Sequence, residues 1–275
     1  MFFARLRAHA RKCSAWALAM ALTSATAIAQ RPAPTPRPTP PPAPVDRAVP
    51  FRVGEGLTFD VGWGSFLTAG SATMKVAERR ALAGGRAAYY LVAEGKPTAL
   101  LNALYHVYYK ADALLDTQTL VPVESSTFAE ERGAQRTKIT RFLPDGASVE
   151  YEERTPAVTK DTRAMPRFTL DPLSTVYVMR ALPISAGQTL TTPLTDEGRT
   201  YQMRVKVSGP VAMTTSLGTF AAWKLTSTVT EVGAPADSAH HVTAWISTDA
   251  RRLPIKIEIV GAVGNFSLTL ISVTG

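Results

Sequence analysis

The chain has 275 residues, 45% of them hydrophobic and 19% charged, with one cysteine and a formal net charge of +8. Most of that charge sits in the first fifty residues, and from Phe51 onward the balance falls to about +2, a guide to solubility and little else. A charge so small and scattered does not make the basic stripe that nucleic-acid recognition requires, so nucleic acid is excluded as a partner.

Arg5, Arg7, Arg11 and Lys12 form a cationic start, followed by an apolar run from Ser14 to Ala29 that ends Ala27-Ile28-Ala29. That is the layout of a secretory signal peptide, so residues 1–29 are expected to direct export to the periplasm and to be cleaved after Ala29. The run is about sixteen residues, short of the roughly twenty needed to span a bilayer, and no transmembrane span is expected in the mature form. Cys13 lies ahead of the run rather than after it, where a lipid-attachment cysteine would lie. Cleavage would leave no cysteine, and with it no disulfide, thiolate nucleophile or cysteine metal site.

Residues 30–50 read QRPAPTPRPTPPPAPVDRAVP. Proline fixes φ and removes backbone donors, so this stretch is expected to be a disordered, extended linker. At about 3.1 Å per residue it would reach about 60 Å. It serves either as a spacer or as a ligand for an aromatic groove.

Residues 51–275 are expected to form a single β-rich domain. Leu57, Phe59, Val61 and Trp63 alternate with polar or small residues, as do Tyr201, Met203, Val205 and Val207, then Ile255, Ile257 and Ile259, then Phe266, Leu268 and Leu270. Successive strand side chains point to opposite faces, so each run has one apolar and one wet face, the pattern of antiparallel sheets. Gly84-Gly85, Asp145-Gly146, Glu197-Gly198 and the stretch from Gly261 to Gly264 mark turns. Asp145-Gly146 predicts a hairpin between residues 137–142 and 148–153. About a dozen strands are expected. A short helix is predicted over Thr98 to Leu104. The main helix opens at Asp171-Pro172-Leu173-Ser174, where Asp171 suits the N-cap and Pro172 the first turn, and it should stop near Leu182-Pro183. The predicted fold is mainly β: a strongly curved antiparallel sheet or partly open barrel with one main helix and a short second one.

An ordered set of features resembles an exported bacterial family catalogued as domain of unknown function 3108. They are the opening from Phe51 to Val61, Ala69-Gly70-Ser71-Ala72, the Asp171 motif leading to Tyr177 and Arg180, Gly218-Thr219-Phe220, and the run from Ala244 to Ile255. The resemblance implies an exported, strand-rich domain similar to the lipoprotein-carrier half-barrels. It brings no catalytic residues. Within the motifs, Glu55 is expected to pair with a cation such as Arg252, and Arg180 with Asp171 or a strand-end carboxylate.

Chemistry-bearing patterns are sparse. There is no Gly-x-Ser-x-Gly elbow and no phosphate loop. His240 and His241, adjacent on a strand, point to opposite faces and are expected to be one surface and one packed imidazole. Glu130-Glu131 and Glu152-Glu153 are expected at solvated strand edges. No catalytic residue, metal or cofactor is assigned. The aromatics are more suggestive: on a curved sheet Trp63, Tyr90, Tyr109, Trp223 and Trp245 are the candidates to line a concave apolar face. The expected function is a periplasmic, non-enzymatic binding or envelope-maintenance protein for a lipid, an acyl chain or a lipoprotein anchor. The alternative is a structural protein docking an envelope partner by strand addition. A glycan hydrolase, which needs two facing carboxylates, ranks last.

Overall fold

A computed structural model describes residues 45–64, 67–104, 106–235, 238–261 and 264–275. The expected signal peptide, residues 30–44 of the expected linker, and Tyr105 lie outside the described residues.

The alternating runs become fourteen strands among the described residues, with two α-helices between them. In chain order these are β1 (Gly56–Trp63), β2 (Leu67–Ala81), β3 (Ala87–Pro97), α1 (Ala99–Leu104), β4 (Val107–Asp116), β5 (Pro122–Glu131), β6 (Ala134–Phe142), β7 (Ser148–Arg154) and β8 (Val158–Ala164). Then come α2 (Pro172–Ala181), β9 (Thr189–Asp196), β10 (Arg199–Thr215), β11 (Gly218–Glu231), β12 (His240–Ser247), β13 (Pro254–Gly261) and β14 (Gly264–Thr274). All fourteen strands join one sheet in the order β8-β7-β6-β5-β4-β3-β2-β1-β14-β13-β12-β11-β10-β9. Every neighbouring pair is antiparallel. No ladder joins the outer strands β8 and β9, so the sheet is not closed into a barrel.

Turn chemistry follows the sequence. Between β6 and β7, Gly146 takes φ +66°, and the Asp145 carboxylate accepts from the backbone of Ala147 (2.8 Å) and Ser148 (3.0 Å). A two-residue hairpin that needs positive φ at both positions joins β9 to β10, with Glu197 at +51° and Gly198 at +72°.

The connection from β8 to β9 carries α2 across the concave side of the sheet. Asp171 caps it, accepting from Ser174 N at 3.0 Å, Pro172 occupies the first turn, and Leu182 closes it. Leu173, Ser174, Thr175, Tyr177, Val178, Met179 and Arg180 are all buried, so α2 is enclosed on nearly every side. It packs into the main core, which includes Leu57, Phe59, Val76, Leu91, Leu115, Leu225, Ile255 and Leu270. Phe51 meets Tyr177 and Tyr89 edge-on, at centroid separations of 5.0 and 5.3 Å.

At the C-terminal end of α2, Arg180 is fully enclosed. Its Nη1 and Nη2 donate to the two carboxylate oxygens of Glu55 at 2.7 and 2.9 Å. Its Nε donates to the Arg252 carbonyl at 3.0 Å and Nη2 also to the Arg251 carbonyl at 3.2 Å. This corrects the expected Glu55–Arg252 pair: Arg252 contributes a carbonyl, and the cation is Arg180. The expectation that Arg180 reaches a strand-end carboxylate holds.

Three other expectations change. Residues 45–50, read as linker, are tied to the domain. Arg47 N donates to the Thr117 carbonyl at 2.8 Å, and Asp46 accepts from Thr117 Oγ1 at 2.6 Å and pairs with Arg79 at 3.0 Å. Glu152 is buried rather than solvated, because Arg141 (2.9 Å), Lys160 (3.0 Å) and Arg154 converge on its carboxylate and hold it down to about 2. His240 and His241 are both exposed. Among the described residues no helix is long and apolar enough to cross a membrane, and no group of three His, Cys, Asp or Glu could hold a metal.

Candidate ligand-binding site

Strand register explains where the concave face is full and where it is hollow. One inward row runs Val76, Leu91, Ala113, Ser125, Thr140, Tyr151 across β2 to β7. Val76, Leu91 and Ala113 in it are fully buried and belong to the core that packs α2. Two residues along each strand, the parallel row runs Met74, Ala93, Ala111, Thr127, Lys138. The next runs Ala72, Gly95, Tyr109, Ala129, Arg136. Side chains two apart on a strand share a face, so the three rows form one surface. Val76 and Leu91 help fill it beneath the helix. Beyond the N-terminus of α2, Ala72, Ala93, Gly95, Ala111, Thr127 and Ala129 leave a hollow bordered by Met74, Tyr109, Arg136 and Lys138.

The result is a cavity of about 480 Å³, lined by those last two rows together with Leu268, Pro172 at the head of α2, Asp196 and Glu197. Its size is that of an ordinary small-molecule site, and its floor is mostly apolar. It continues into a recess of about 50 Å³, with Ala111, Thr127, Lys138, Pro172, Asp196 and Glu197 on both linings. The recess is walled by Ser125, Thr140, Tyr151, Leu173, Thr195 and Asp171 as well.

The charges around the hollow are mostly engaged. Lys138, a cation reaching in from the floor, pairs with Glu197. Arg136 pairs with Glu153 at 3.4 Å. The Tyr109 hydroxyl donates to Glu131, and burial together with that carboxylate pushes the phenol up to about 12. Partial desolvation of its carboxyl and the neighbouring Glu197 raise Asp196 from the ordinary carboxylate value, with Lys138 opposing, though the residue as a whole is exposed. Burial does the same to Asp171, against the hydrogen bond from the Ser174 N–H. The oxygens Asp171 Oδ2, Ser174 Oγ and Thr195 Oγ1 are buried without a hydrogen-bond partner. Such a group left unmet costs roughly 1–3 kcal/mol.

The five aromatic candidates are not brought together. Tyr109 lines the hollow. Trp63 ends β1, partly exposed and stacked on Phe266 at 6.1 Å and 4°. Tyr90 points away from the face of Tyr89 and Leu91 and lies under the Arg80 guanidinium at 3.5 Å. Trp223 is half-buried against the core, opposite Pro210 and Ile246. Trp245 stands on the face of β12 away from Ala244 and Ile246, with the Lys224 and Lys256 amines 5.7 and 5.8 Å from its ring. The residues that shape the hollow are instead Ala72, Ala93, Gly95, Ala111 and Ala129. A small residue at every inward position of one strand segment was the available signal, in Ala93 with Gly95 and Ala111 with Ala113.

The sequence profile of a family described as protein of unknown function, DUF3108, matches residues 58–271. The chain belongs to DUF3108. No curated protein matches this DUF3108 chain significantly. Its fold is similar to that of a β-barrel-like protein of the family DUF1849 from Brucella abortus, at 10% identity and a TM-score of 0.50, covering 80% of this chain and 97% of that one. Weaker likenesses are a candidate lipoprotein from Parabacteroides distasonis (8% identity, TM-score 0.33, 84% and 100% of the two chains) and a candidate exported protein with a YmcC-like fold from Bacteroides fragilis (10%, 0.35, 84% and 100%). The first of these likenesses places the DUF3108 domain in a β-barrel-like architecture.

Proposed function

We propose that this DUF3108 protein is a non-enzymatic binding protein of the periplasm that holds a single apolar chain, from a lipid or a lipoprotein anchor, in the trough beyond the head of α2. The hollow carries this reading: a curved sheet normally fills its concave side with large side chains, and here Ala72, Ala93, Gly95, Ala111 and Ala129 are small at adjoining positions of two neighbouring rows. Tyr109 then serves as a wall of the site, its ring against the ligand and its hydroxyl held by Glu131. Exposed apolar side chains near the same end of the sheet, Leu100 and Leu104 on α1 and Trp63 on β1, suit entry from a greasy source. The periplasmic address rests on the cationic start and apolar run of residues 1–29.

The sheet edges favour this reading over strand addition. β8 carries Lys160, Asp161 and Arg163 and β9 carries Pro193, residues that discourage pairing with another strand. Protein purified from the periplasm without detergent and weighed by native mass spectrometry should carry a lipid-sized adduct. A bare mass, with no displacement of a fluorescent acyl probe by added lipid, would end the proposal.

A further inference from the structure

The recess beneath the trough has a character of its own. The trough floor is alanine and glycine bordered by Met74, Tyr109, Arg136 and Lys138, whereas the recess brings Ser125, Thr140, Asp171 and Thr195 into a lining that also holds Ala111, Pro172 and Leu173. Two of its wall residues, Asp171 and Thr195, are only 3% and 2% exposed, and each leaves a side-chain oxygen without a partner. In a native interior such atoms are almost always met. Asp171 Oδ1 is already engaged by the helix cap, so its free Oδ2 is not needed to start α2. The one cation in the wall, Lys138, is neutralised by Glu197.

We infer that the recess receives the polar end of the bound amphiphile, and that this end is an uncharged hydroxyl-bearing head rather than a carboxylate. The inference rests on the binding reading above and adds the chemistry of the head. A hydroxyl can donate to Asp171 Oδ2 and exchange a hydrogen bond with Thr195 Oγ1, meeting both unpartnered oxygens. A carboxylate has only acceptors, finds no unpaired cation in the wall, and would lie beside Asp171, Asp196 and Glu197. A space of about 50 Å³ admits one or two small polar groups and nothing larger, so the chain must lie in the trough with its head innermost.

The test compares monolauroylglycerol with laurate, equal in chain length, as displacers of a fluorescent acyl probe from the full mature protein at neutral pH. The glycerol ester should bind about tenfold tighter, the worth of one buried group satisfied rather than left bare. Thr195→Val should erase most of that preference, and Thr195→Ser, which keeps the hydroxyl, should restore it. Equal binding, tighter binding of laurate, or a preference indifferent to Thr195→Val would overturn the assignment of the head while leaving the trough as a chain site. If neither amphiphile displaces the probe, the binding reading falls and this inference with it.

Discussion

The two ends of α2 solve opposite problems with the same materials. At the C-terminal end Arg180 is wholly buried, yet Glu55 and two backbone carbonyls meet its guanidinium. At the N-terminal end Asp171, Ser174 and Thr195 keep buried oxygens unmet, and the sheet in front of them is hollow. Every guanidinium nitrogen of Arg180 is engaged within the protein, although Tyr177 Oη and Arg252 Nη1 near it lack partners. The contrast is therefore between a buried cation that is met and a capping end that fronts a hollow.

The strongest way to break the contrast is at the C-terminal end. Arg180→Ala leaves Glu55 buried without its cation, and loss of one partner of a buried pair costs about 3–5 kcal/mol. Urea denaturation should register that loss. A change below about 1 kcal/mol, the ordinary worth of an exposed pair, would show that the closure is not structural.

A paired substitution on β4 compares the two regions directly. Ala113 and Ala111 share a face, but Ala113 is fully buried in the core and Ala111 lines the hollow. Ala113→Phe should overpack and destabilise by about 1–3 kcal/mol. Ala111→Phe should leave the denaturation midpoint nearly unchanged while weakening amphiphile binding by about tenfold or more, an amount that corresponds to about 1.4 kcal/mol. Equal destabilisation by both would mean that the trough is packed.

The smallest expected effect sharpens the view of the wall behind the recess. Tyr151 of β7 faces the recess, and its neighbour Glu152 faces outward into Arg141, Arg154 and Lys160. Glu152 is depressed from 4.5 to about 2 by those cations. A carboxylate depressed on folding contributes stability that is complete above its unfolded value and is lost as pH falls through the folded one. Thermal melts should therefore weaken between pH 4.5 and about 2, and Glu152→Gln should flatten that limb. An unchanged acid limb in the variant would assign the loss to other carboxylates.

What could be read from the sequence was local. Asp171-Pro172 announced the helix, Asp145-Gly146 the hairpin, and period-two runs the strands, because each signal is contained within a few residues of chain. The Glu55–Arg180 pair spans 125 positions, and nothing near either residue names the other. The trough was hidden for a similar reason. Ala72, Gly95 and Ala129 are unremarkable in their own strands and form a row only through the pairing of β2, β3, β4 and β5. The aromatics misled because bulk shows in a sequence and direction does not: Tyr89 and Tyr90 are neighbours, and only the first faces inward.

The seam between the outer strands has a mechanical consequence. Where a closed cylinder would have a backbone ladder, this sheet has one bridge between Leu170 and Leu194, the Arg163 side chain on the Gly198 carbonyl, and the Lys138–Glu197 pair. These fastenings can part without unzipping any strand from its neighbour. The sheet therefore has a laddered side and a fastened side, and parting the fastenings would leave all thirteen strand pairs intact.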